Sequence, residues 1–429
     1  MLNKLKPKSE FSRNVLTLMT GTTIAQAIPI AISPILTRIY TPEDYGILAI
    51  FLAITAILGS ISNGRYELAI MLPKKDEDAI NIFALGFIIV SCLSLFLLIL
   101  VLLFNDYFAT LLGNDEIGFW LYFVPLTVFF TGLWNILNYF NNRRKNYKDL
   151  RNATIVKSIV SAIVQLSIGF AKQGPTGLVS ASILSQFVAN TKLLNNIIQN
   201  KLLIAKISKV KIIALAKRYK DFMIHGVPST LADTGALQLP SLFLPKLFGL
   251  AASGHFIFAK RLITLPSGII ANSMSQVFFQ QLTLRKNNRE KTLPLLKNMI
   301  KKLFIIALPI ALVIFFSSPY IFPIIFGKNW SVSGDIAQYL AFIFLITFIV
   351  SPLSVAFTVS MELRKVAIWQ YLYLISSTIF FFLFYIYKVE FEKFLFYFVI
   401  HEYILYLIYL FMIIKTTQKM DIINLKGKN

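Results

Sequence analysis

Twelve long apolar stretches recur along this chain of 429 residues and constrain its fold more than any other feature. Because a helix of about 20 mostly apolar residues crosses a bilayer, they predict an all-α membrane protein with twelve transmembrane helices. Only 14% of the residues are charged, whereas soluble domains have about 25%. The expected spans are 15–37, 44–64, 79–104, 117–140, 153–171, 176–198, 222–245, 252–277, 303–326, 336–359, 366–387 and 394–414.

The basic residues predict the orientation of these spans. Lys and Arg number 42 and give a formal net charge of +22. With the N-terminus in the cytoplasm, 32 of them fall on the cytoplasmic side, six on the opposite side and four inside spans. Since Lys and Arg collect in cytoplasmic loops, we expect both termini to lie in the cytoplasm.

The longest stretch between spans predicts the domain organisation. It covers 199–221, and apolar residues recur there at helical spacing among lysines. This pattern is typical of a helix that lies on an anionic membrane surface, although a solvated basic loop is the alternative. We expect an N-terminal six-helix bundle over 1–198, a basic amphipathic linker over 199–221 and a C-terminal six-helix bundle over 222–429.

A weak internal repeat supports two related halves. With a shift of 208 residues, 35–40 align with 243–248, and Arg38 is matched with Lys246. The same shift matches Gly46 with Gly254. Because each half would contain six spans, the repeat would be parallel. Chance similarity between apolar segments is the alternative.

Polar residues inside the spans predict a cavity. They are costly in hydrocarbon and therefore usually face a cavity or one another. They concentrate in the first two spans of each half, which favours a central polar cleft between the halves. The side chains expected to line it are Thr23, Gln26, Ser33, Asn63, Ser229 and Thr264.

The ionisable residues in and near the spans are mostly basic, and a cationic cavity suits an anionic cargo. The cationic residues expected to face the cargo are Arg38, Arg65, Lys157, Lys260 and Arg261. The acidic residues that could couple an ion are Glu67, Asp233 and Glu402. Internal pairing of Arg65 with Glu67 and of Lys260 with Asp233, or snorkelling to an interface, is the alternative.

Several motifs are absent from the sequence. No G-x-x-x-x-G-K-[ST] phosphate loop is present, so we do not expect ATP hydrolysis by this chain. The single cysteine and three scattered histidines do not predict a metal site. No long loop is expected on the outer side, which argues against a glycosyltransferase or polymerase. Transport without a cofactor and without chemistry is the expectation.

Three runs near the N-terminus carry a resemblance to a known family. They are GTTIAQAIP (21–29), SPILTRIYTPEDYG (33–46) and GRYELAIMLPK (64–74). They resemble the Wzx-type O-antigen and oligosaccharide flippases of the multidrug/oligosaccharidyl-lipid/polysaccharide exporter superfamily. The resemblance implies two six-helix bundles in a V and alternating access.

The resemblance also implies a cargo and a location. The cargo would be undecaprenyl-diphosphate-linked oligosaccharide, such as an O-antigen or related surface polysaccharide unit. It would move from the cytoplasmic to the periplasmic leaflet of a bacterial inner membrane. Carried to this sequence, the residues that would hold the diphosphate are Arg38, Arg65, Lys260 and Arg261. The other expected partners are membrane lipid and further polysaccharide assembly proteins, and no nucleic acid.

Three other functions stay open at this point. A peptidoglycan-precursor flippase is a close variant. A cation-coupled multidrug exporter of the same superfamily would use a buried acid such as Asp233 or Glu67. A membrane polysaccharide polymerase or ligase would be an enzyme with the same number of spans.

Overall fold

A computed structural model describes residues 10–171 and 174–426, without the side chains of 10–16, 18, 265–267, 269 and 423–426. All regular structure in this part of the chain is helical. The α-helices are α1 (Glu10–Ile39), α2 (Pro42–Ile61), α3 (Asp76–Leu112), α4 (Glu116–Leu121), α5 (Val124–Arg143), α6 (Tyr147–Ala171), α7 (Thr176–Ile198), α8 (Lys201–Ile204), α9 (Lys209–Arg218), α10 (Val227–Asn287), α11 (Leu293–Phe326), α12 (Ser331–Val350), α13 (Val355–Ser360), α14 (Leu363–Tyr387) and α15 (Phe391–Lys426).

The predicted spans fall on these helices. The fourth covers α4 and α5, and the tenth covers α12, a 3-10 turn and α13. Within the described residues, nine helical segments are long and apolar enough to cross a membrane. The predicted all-α class of membrane protein is therefore confirmed, and the count of twelve spans stays a prediction.

A glycine interrupts the longest helix. The seventh and eighth predicted spans both lie on α10, and Gly249 separates them with φ 86° and ψ 168°. This region of backbone space is open to glycine and costly for other residues. The connection that the sequence predicts between the seventh and eighth spans, from 245 to 252, is therefore a local break within one long helical segment.

The chain forms two compact units, Met1–Ala251 and Ala252–Asn429. The linker predicted at 199–221 lies within the first unit, where it contains α8 and α9. The division into bundles over 1–198 and 222–429 stays a prediction.

Hydrogen bonds attach the segment of α8 and α9 to the start of α3. Asn81 of α3 accepts a hydrogen bond from the Ser208 backbone N–H at 2.8 Å and donates one to the Lys206 carbonyl at 3.0 Å. Lys206 and Lys211 also form ion pairs with Glu77 at 3.4 and 3.0 Å. Part of the basic charge in this segment is thus neutralised by the acidic N-terminus of α3.

The second unit has an aromatic core. Phe258 of α10 packs against Trp330 and Phe326 at centroid distances of 4.5 and 5.1 Å. Trp330 is fully buried. This packing holds the second half of α10 against α11 and the turn before α12.

The N-terminus of α11 is capped by a residue from α15. Asp421 accepts hydrogen bonds from the Thr292 hydroxyl at 2.6 Å and from the Leu293 backbone N–H at 3.1 Å. These bonds satisfy donors at the start of the helix that have no partner within it. The contact joins two helices that are more than a hundred residues apart in sequence.

We predict that Asp421→Ala lowers the free energy of unfolding by about 1–2 kcal/mol, because α11 loses its cap. Thermal unfolding of the purified protein in detergent measures the effect. Asp115→Ala is the matched control, since Asp115 precedes α4 without a capping hydrogen bond. An equal change in both variants would contradict the role of Asp421.

Glu362, which lies between α13 and α14, forms a contact that depends on pH. Glu362 forms ion pairs with Lys365 and with Lys419, the latter at 2.7 Å. Hydrogen bonds from Lys365 and Lys419 hold the pKa of Glu362 below its ordinary value. A lowered carboxyl pKa stabilises the fold above the pKa of the unfolded state, and this contribution is lost as the pH falls through the folded-state pKa.

We therefore predict that Glu362→Gln lowers the unfolding temperature near pH 7, and that the difference from wild type shrinks below about pH 4.3. Unfolding temperatures measured from pH 7 to pH 3 test this. Glu116→Gln serves as control, because Glu116 is exposed and forms no ion pair within the described structure. A difference that is constant with pH would be evidence against the charge effect.

Candidate functional site

In the first unit, a cation and a carboxylate meet in the turn between α2 and α3. Arg65 has a left-handed backbone with φ 62°, which is uncommon for a residue other than glycine. Its Nη1 lies 3.1 Å from Oε1 of Glu67. The side chain of Arg65 is 26% exposed, whereas that of Glu67 is 3% exposed. The internal pairing of these two residues, which the sequence left open, is present.

This ion pair leaves hydrogen-bonding capacity unused. Nε of Arg65 and Oε2 of Glu67 are buried and have no hydrogen-bond partner in the part of the chain that the structure describes. Burial raises the pKa of Glu67, and the neighbouring charge of Arg65 opposes that rise. The pair therefore keeps an available donor and acceptor in a buried turn.

Two further predicted cations lie elsewhere in the first unit. Lys157 of α6 is half-buried, and its Nζ lies 5.1 Å from the ring centroid of Trp134. This distance permits a cation–π interaction, so Lys157 already has a partner. Arg38 is exposed at the end of α1 and donates a hydrogen bond to the Pro34 carbonyl.

Most of the predicted polar lining residues bond to the backbone. Thr23, Ser33 and Thr264 each donate a hydrogen bond to a carbonyl of their own helix, as hydroxyls in helices commonly do. Asn63 donates to the Gly86 carbonyl at 3.2 Å and is 1% exposed. These contacts satisfy polar groups that would be costly in an apolar environment.

The other polar residues named from the sequence are half-buried. Oε1 of Gln26 on α1 is buried and has no hydrogen-bond partner among the described side chains and backbone groups. Ser229 and Asp233 lie one turn apart in the first half of α10. Their role in lining a cavity stays a prediction.

In the second unit, Lys260 and Arg261 are adjacent and half-buried on α10. Within the described residues, Lys260 forms no direct ion pair with a carboxylate. Within the described residues, the Arg261 guanidinium has no carboxylate partner. A positive charge without a counter-charge therefore lies in an apolar helix.

Glu402 belongs to a cluster of polar side chains of α14 and α15 that consists of Tyr373, Ser376, His401 and Glu402, of which Tyr373 and Glu402 are buried and the other two half-buried. The hydroxyl of Tyr373 lies 3.1 Å from both carboxylate oxygens of Glu402, to which it donates. Nε2 of His401 lies 2.8 Å from Oγ of Ser376. We call this group the Glu402 cluster.

Sequence reasoning named Lys260 and Glu402 but missed Tyr373 and Ser376 of α14. Tyrosine is common in this span, and Tyr371, two residues earlier, is 41% exposed whereas Tyr373 is 5% exposed. No sequence signal separates the two, because apolar and aromatic residues lie on all sides of this helix. For the same reason Trp134 could not be identified as the partner of Lys157.

The comparisons with known proteins agree with this architecture. A family model described as "Polysaccharide biosynthesis protein" matches residues 35–335, which is more than half of the chain. The chain belongs to this family. It is also 22% identical over 310 residues to the succinoglycan biosynthesis transport protein ExoT of Rhizobium meliloti (strain 1021). That match covers 72% of the chain and 61% of ExoT, so the chain spans about three fifths of the length of this relative.

Solved structures show the same fold over nearly the whole chain. The lipid II flippase MurJ, in an inward closed conformation, is similar with a TM-score of 0.66, 16% identity and coverage of 96% of this chain and 90% of that one. A MOP superfamily transporter from Pyrococcus furiosus gives 0.60, 14% identity and coverage of 95% and 96%. An outward-facing multidrug resistance MATE family transporter gives 0.59, 14% identity and the same coverages.

The family match confirms the predicted resemblance to proteins of polysaccharide biosynthesis, and the solved structures confirm the MATE-like fold. At these identities the structural neighbours show the fold alone. ExoT is by name a transport protein, and these three structural neighbours are by title two transporters and a flippase.

We predict that Arg65→Ala lowers the free energy of unfolding by about 1–3 kcal/mol, because the buried carboxylate of Glu67 loses its counter-charge. The double variant Arg65→Ala with Glu67→Gln should regain most of this loss, since no charge then remains unpaired. Thermal unfolding in detergent measures both variants.

Lys74→Ala is the control for these variants, because Lys74 is an exposed cation of the same connection without an ion pair in the described structure. Failure of the double variant to recover stability would contradict the pairing account.

Proposed function

We propose that this chain translocates undecaprenyl-diphosphate-linked oligosaccharide from the cytoplasmic to the periplasmic leaflet of a bacterial inner membrane. The oligosaccharide would be an O-antigen unit or a related surface polysaccharide unit, and transport would proceed by alternating access. Both termini would lie in the cytoplasm, and other polysaccharide assembly proteins would be partners.

The observation that carries this proposal is the unpaired Arg261. A charged side chain within an apolar helix is costly and is usually retained for function. Within the described structure no carboxylate neutralises its guanidinium, which leaves it available for an anion. A guanidinium binds phosphate oxygens with two parallel hydrogen bonds, so a diphosphate is a suitable ligand.

The adjacent Lys260 strengthens the case for an anionic headgroup. Its ammonium forms no direct ion pair among the residues that the structure describes. Two neighbouring cations without a directly paired carboxylate leave a positive balance on this part of α10. We expect this positive balance to attract a diphosphate and to disfavour a cationic drug.

The relatives support a saccharide cargo of this type. One relative is by name a transport protein of succinoglycan biosynthesis, and one structural neighbour is by title a flippase of lipid II. Diphosphate recognition would fit a lipid-linked cargo of this kind, with the polyprenyl tail remaining in the lipid.

A cation-coupled multidrug exporter is the second candidate. The observation in its favour is the buried carboxylate of Glu67, together with the fold likeness to a MATE transporter. Arg65 pairs with that carboxylate, which weakens its ability to bind a coupling cation. Drug susceptibility of a deletion strain separates this function from the first.

We predict that Arg261→Ala slows translocation at least about tenfold, which corresponds to about 1.4 kcal/mol of lost interaction with the diphosphate. The measurement is leaflet exchange of a labelled polyprenyl-diphosphate oligosaccharide in proteoliposomes. Arg261→Lys should keep part of the rate, because it keeps the charge but not the paired hydrogen bonds.

Lys328→Ala is the matched control, since Lys328 is an exposed cation of the same unit without an ion pair in the described structure. A normal rate for Arg261→Ala at normal protein level would overturn the cationic headgroup site.

A further inference from the structure

A stripe of polar and aromatic side chains runs along one face of α5, in the first unit. Its members lie close to multiples of a helical turn apart, which places them on the same side of the helix. They are all half-buried, whereas the opposite side of α5 is buried in an apolar core. The members are Thr131, Trp134, Asn135 and Asn138. We call this group the α5 stripe.

Side chains of two other helices lie against the α5 stripe. Nζ of Lys157 on α6 lies 5.1 Å from the ring centroid of Trp134. Oγ1 of Thr131 lies 3.1 Å from Oε1 of Gln186 on α7, which is hydrogen-bonding distance. Lys157 and Gln186 are half-buried as well. Polar groups from three helices therefore meet on this face of α5.

Much of the hydrogen-bonding capacity of this face is unused. Among the described residues, the Asn138 amide, the Trp134 indole N–H and the Lys157 ammonium form no hydrogen bond. Asn135 donates to the Gly59 carbonyl at 3.3 Å, and its own oxygen accepts none from the described part of the chain. Because unsatisfied polar groups are costly in hydrocarbon, this face indicates a space that admits water or a polar ligand.

The combination of groups fits a sugar ring. The C–H face of a sugar ring is apolar and packs on an aromatic side chain, which Trp134 supplies. Each sugar hydroxyl donates and accepts, and the amides of Asn135 and Asn138 do both within one turn of Trp134. The ammonium of Lys157 adds donors, since it has three and accepts none.

Other ligands fit this face less well. A cationic drug would be repelled by the charge of Lys157. An alkyl chain would leave the amide groups of Asn135 and Asn138 without partners, which is costly. A phosphate would find a single ammonium here, and the amide oxygens would repel it because they only accept hydrogen bonds. A hydroxyl-rich ring is the ligand that uses all of these groups.

We propose that Trp134, Asn135, Asn138 and Lys157 form a sugar-binding subsite for the oligosaccharide part of the cargo. A sugar ring packs on the accessible part of the Trp134 indole, and its hydroxyls bind the two amides and the ammonium. This inference rests on the proposed function. It gives Lys157, which the sequence placed among the cations that face the cargo, a role with the sugar and not with the diphosphate.

The subsite divides affinity and selectivity between its members. Packing on Trp134 contributes affinity that depends little on the arrangement of the hydroxyls. Asn135 and Asn138 select by hydroxyl position, because a site built to hydrogen-bond a hydroxyl rejects an analogue that lacks it. Asn138 is thus a specificity-determining residue in this proposal.

The test uses the full-length protein in detergent and two probes. One probe is the undecaprenyl-diphosphate oligosaccharide extracted from the source bacterium, and the other is undecaprenyl diphosphate, which has no sugar. Calorimetric titration measures both affinities, and we expect wild type to bind the glycosylated probe more tightly. Trp134→Ala should weaken binding of the glycosylated probe about tenfold and leave the affinity for undecaprenyl diphosphate unchanged.

Asn138→Leu supplies a second measurement, which does not disturb the packing of Trp134 on the core. Because the Asn138 amide forms no hydrogen bond within the described structure, this change should not lower the unfolding temperature. It should weaken binding of the glycosylated probe about three- to tenfold. Asn195→Leu is the matched control, since Asn195 is an exposed amide on the side of α7 opposite to Gln186. It should leave both affinities unchanged.

Lys157→Gln separates the sugar from the diphosphate as the partner of this cation. We expect weaker binding of the glycosylated probe alone. An equal loss of affinity for both probes would assign the ammonium of Lys157 to the diphosphate and overturn its place in the subsite.

The outcomes also separate this inference from the proposed function. The sugar subsite is overturned, and the transport proposal stands, if wild type binds both probes equally or if Asn138→Leu binds the glycosylated probe as wild type does. Wild-type protein that binds neither probe better than undecaprenol overturns the diphosphate recognition on which the proposed function depends.

Discussion

The cost of placing an unsatisfied polar group in hydrocarbon is the constraint on which the rest of this structure depends. It explains why all regular structure in the described residues is helical, since a helix satisfies its own backbone. It also explains the side-chain hydroxyls that bond to their own helices, and the cap that Asp421 supplies to α11. Polar groups that lie within the spans without a hydrogen-bond partner or a counter-charge are therefore informative about function.

Cations near the helix ends differ from the cations within the spans in how their charge is compensated. Near the helix ends, cations meet carboxylates directly, as Arg143 does with Asp76 at 3.0 Å and Lys211 with Glu77 at 3.0 Å. On α10, neither Lys260 nor Arg261 has a direct carboxylate partner among the described residues. Because direct pairing occurs elsewhere in the chain, its absence at these two positions supports the anionic ligand that we propose.

Much of the architecture could be predicted because hydropathy and charge placement are local properties. The comparisons confirmed the resemblance to a polysaccharide biosynthesis family and the helical class. The contacts of the candidate site were harder to predict. The separation of Glu402 from Tyr373 is 29 residues, and nothing in the apolar sequence between them indicates which tyrosine turns inward. The pairing of Arg65 with Glu67 was visible as an alternative because the two are neighbours in sequence.

By itself, the sequence determined that this chain is a helical membrane protein, that basic residues outnumber acidic ones in and near its spans, and that it resembles polysaccharide transporters. These features follow from composition and order along the chain. Only the tertiary structure decided which charges are compensated. It paired Arg65 with Glu67, set Lys157 over Trp134 and placed Tyr373 and His401 beside Glu402, and among the described residues it gave Arg261 no carboxylate partner. The reason is physical: the free energy of a buried charge depends on groups within a few ångströms, and packing of distant segments alone brings those groups together.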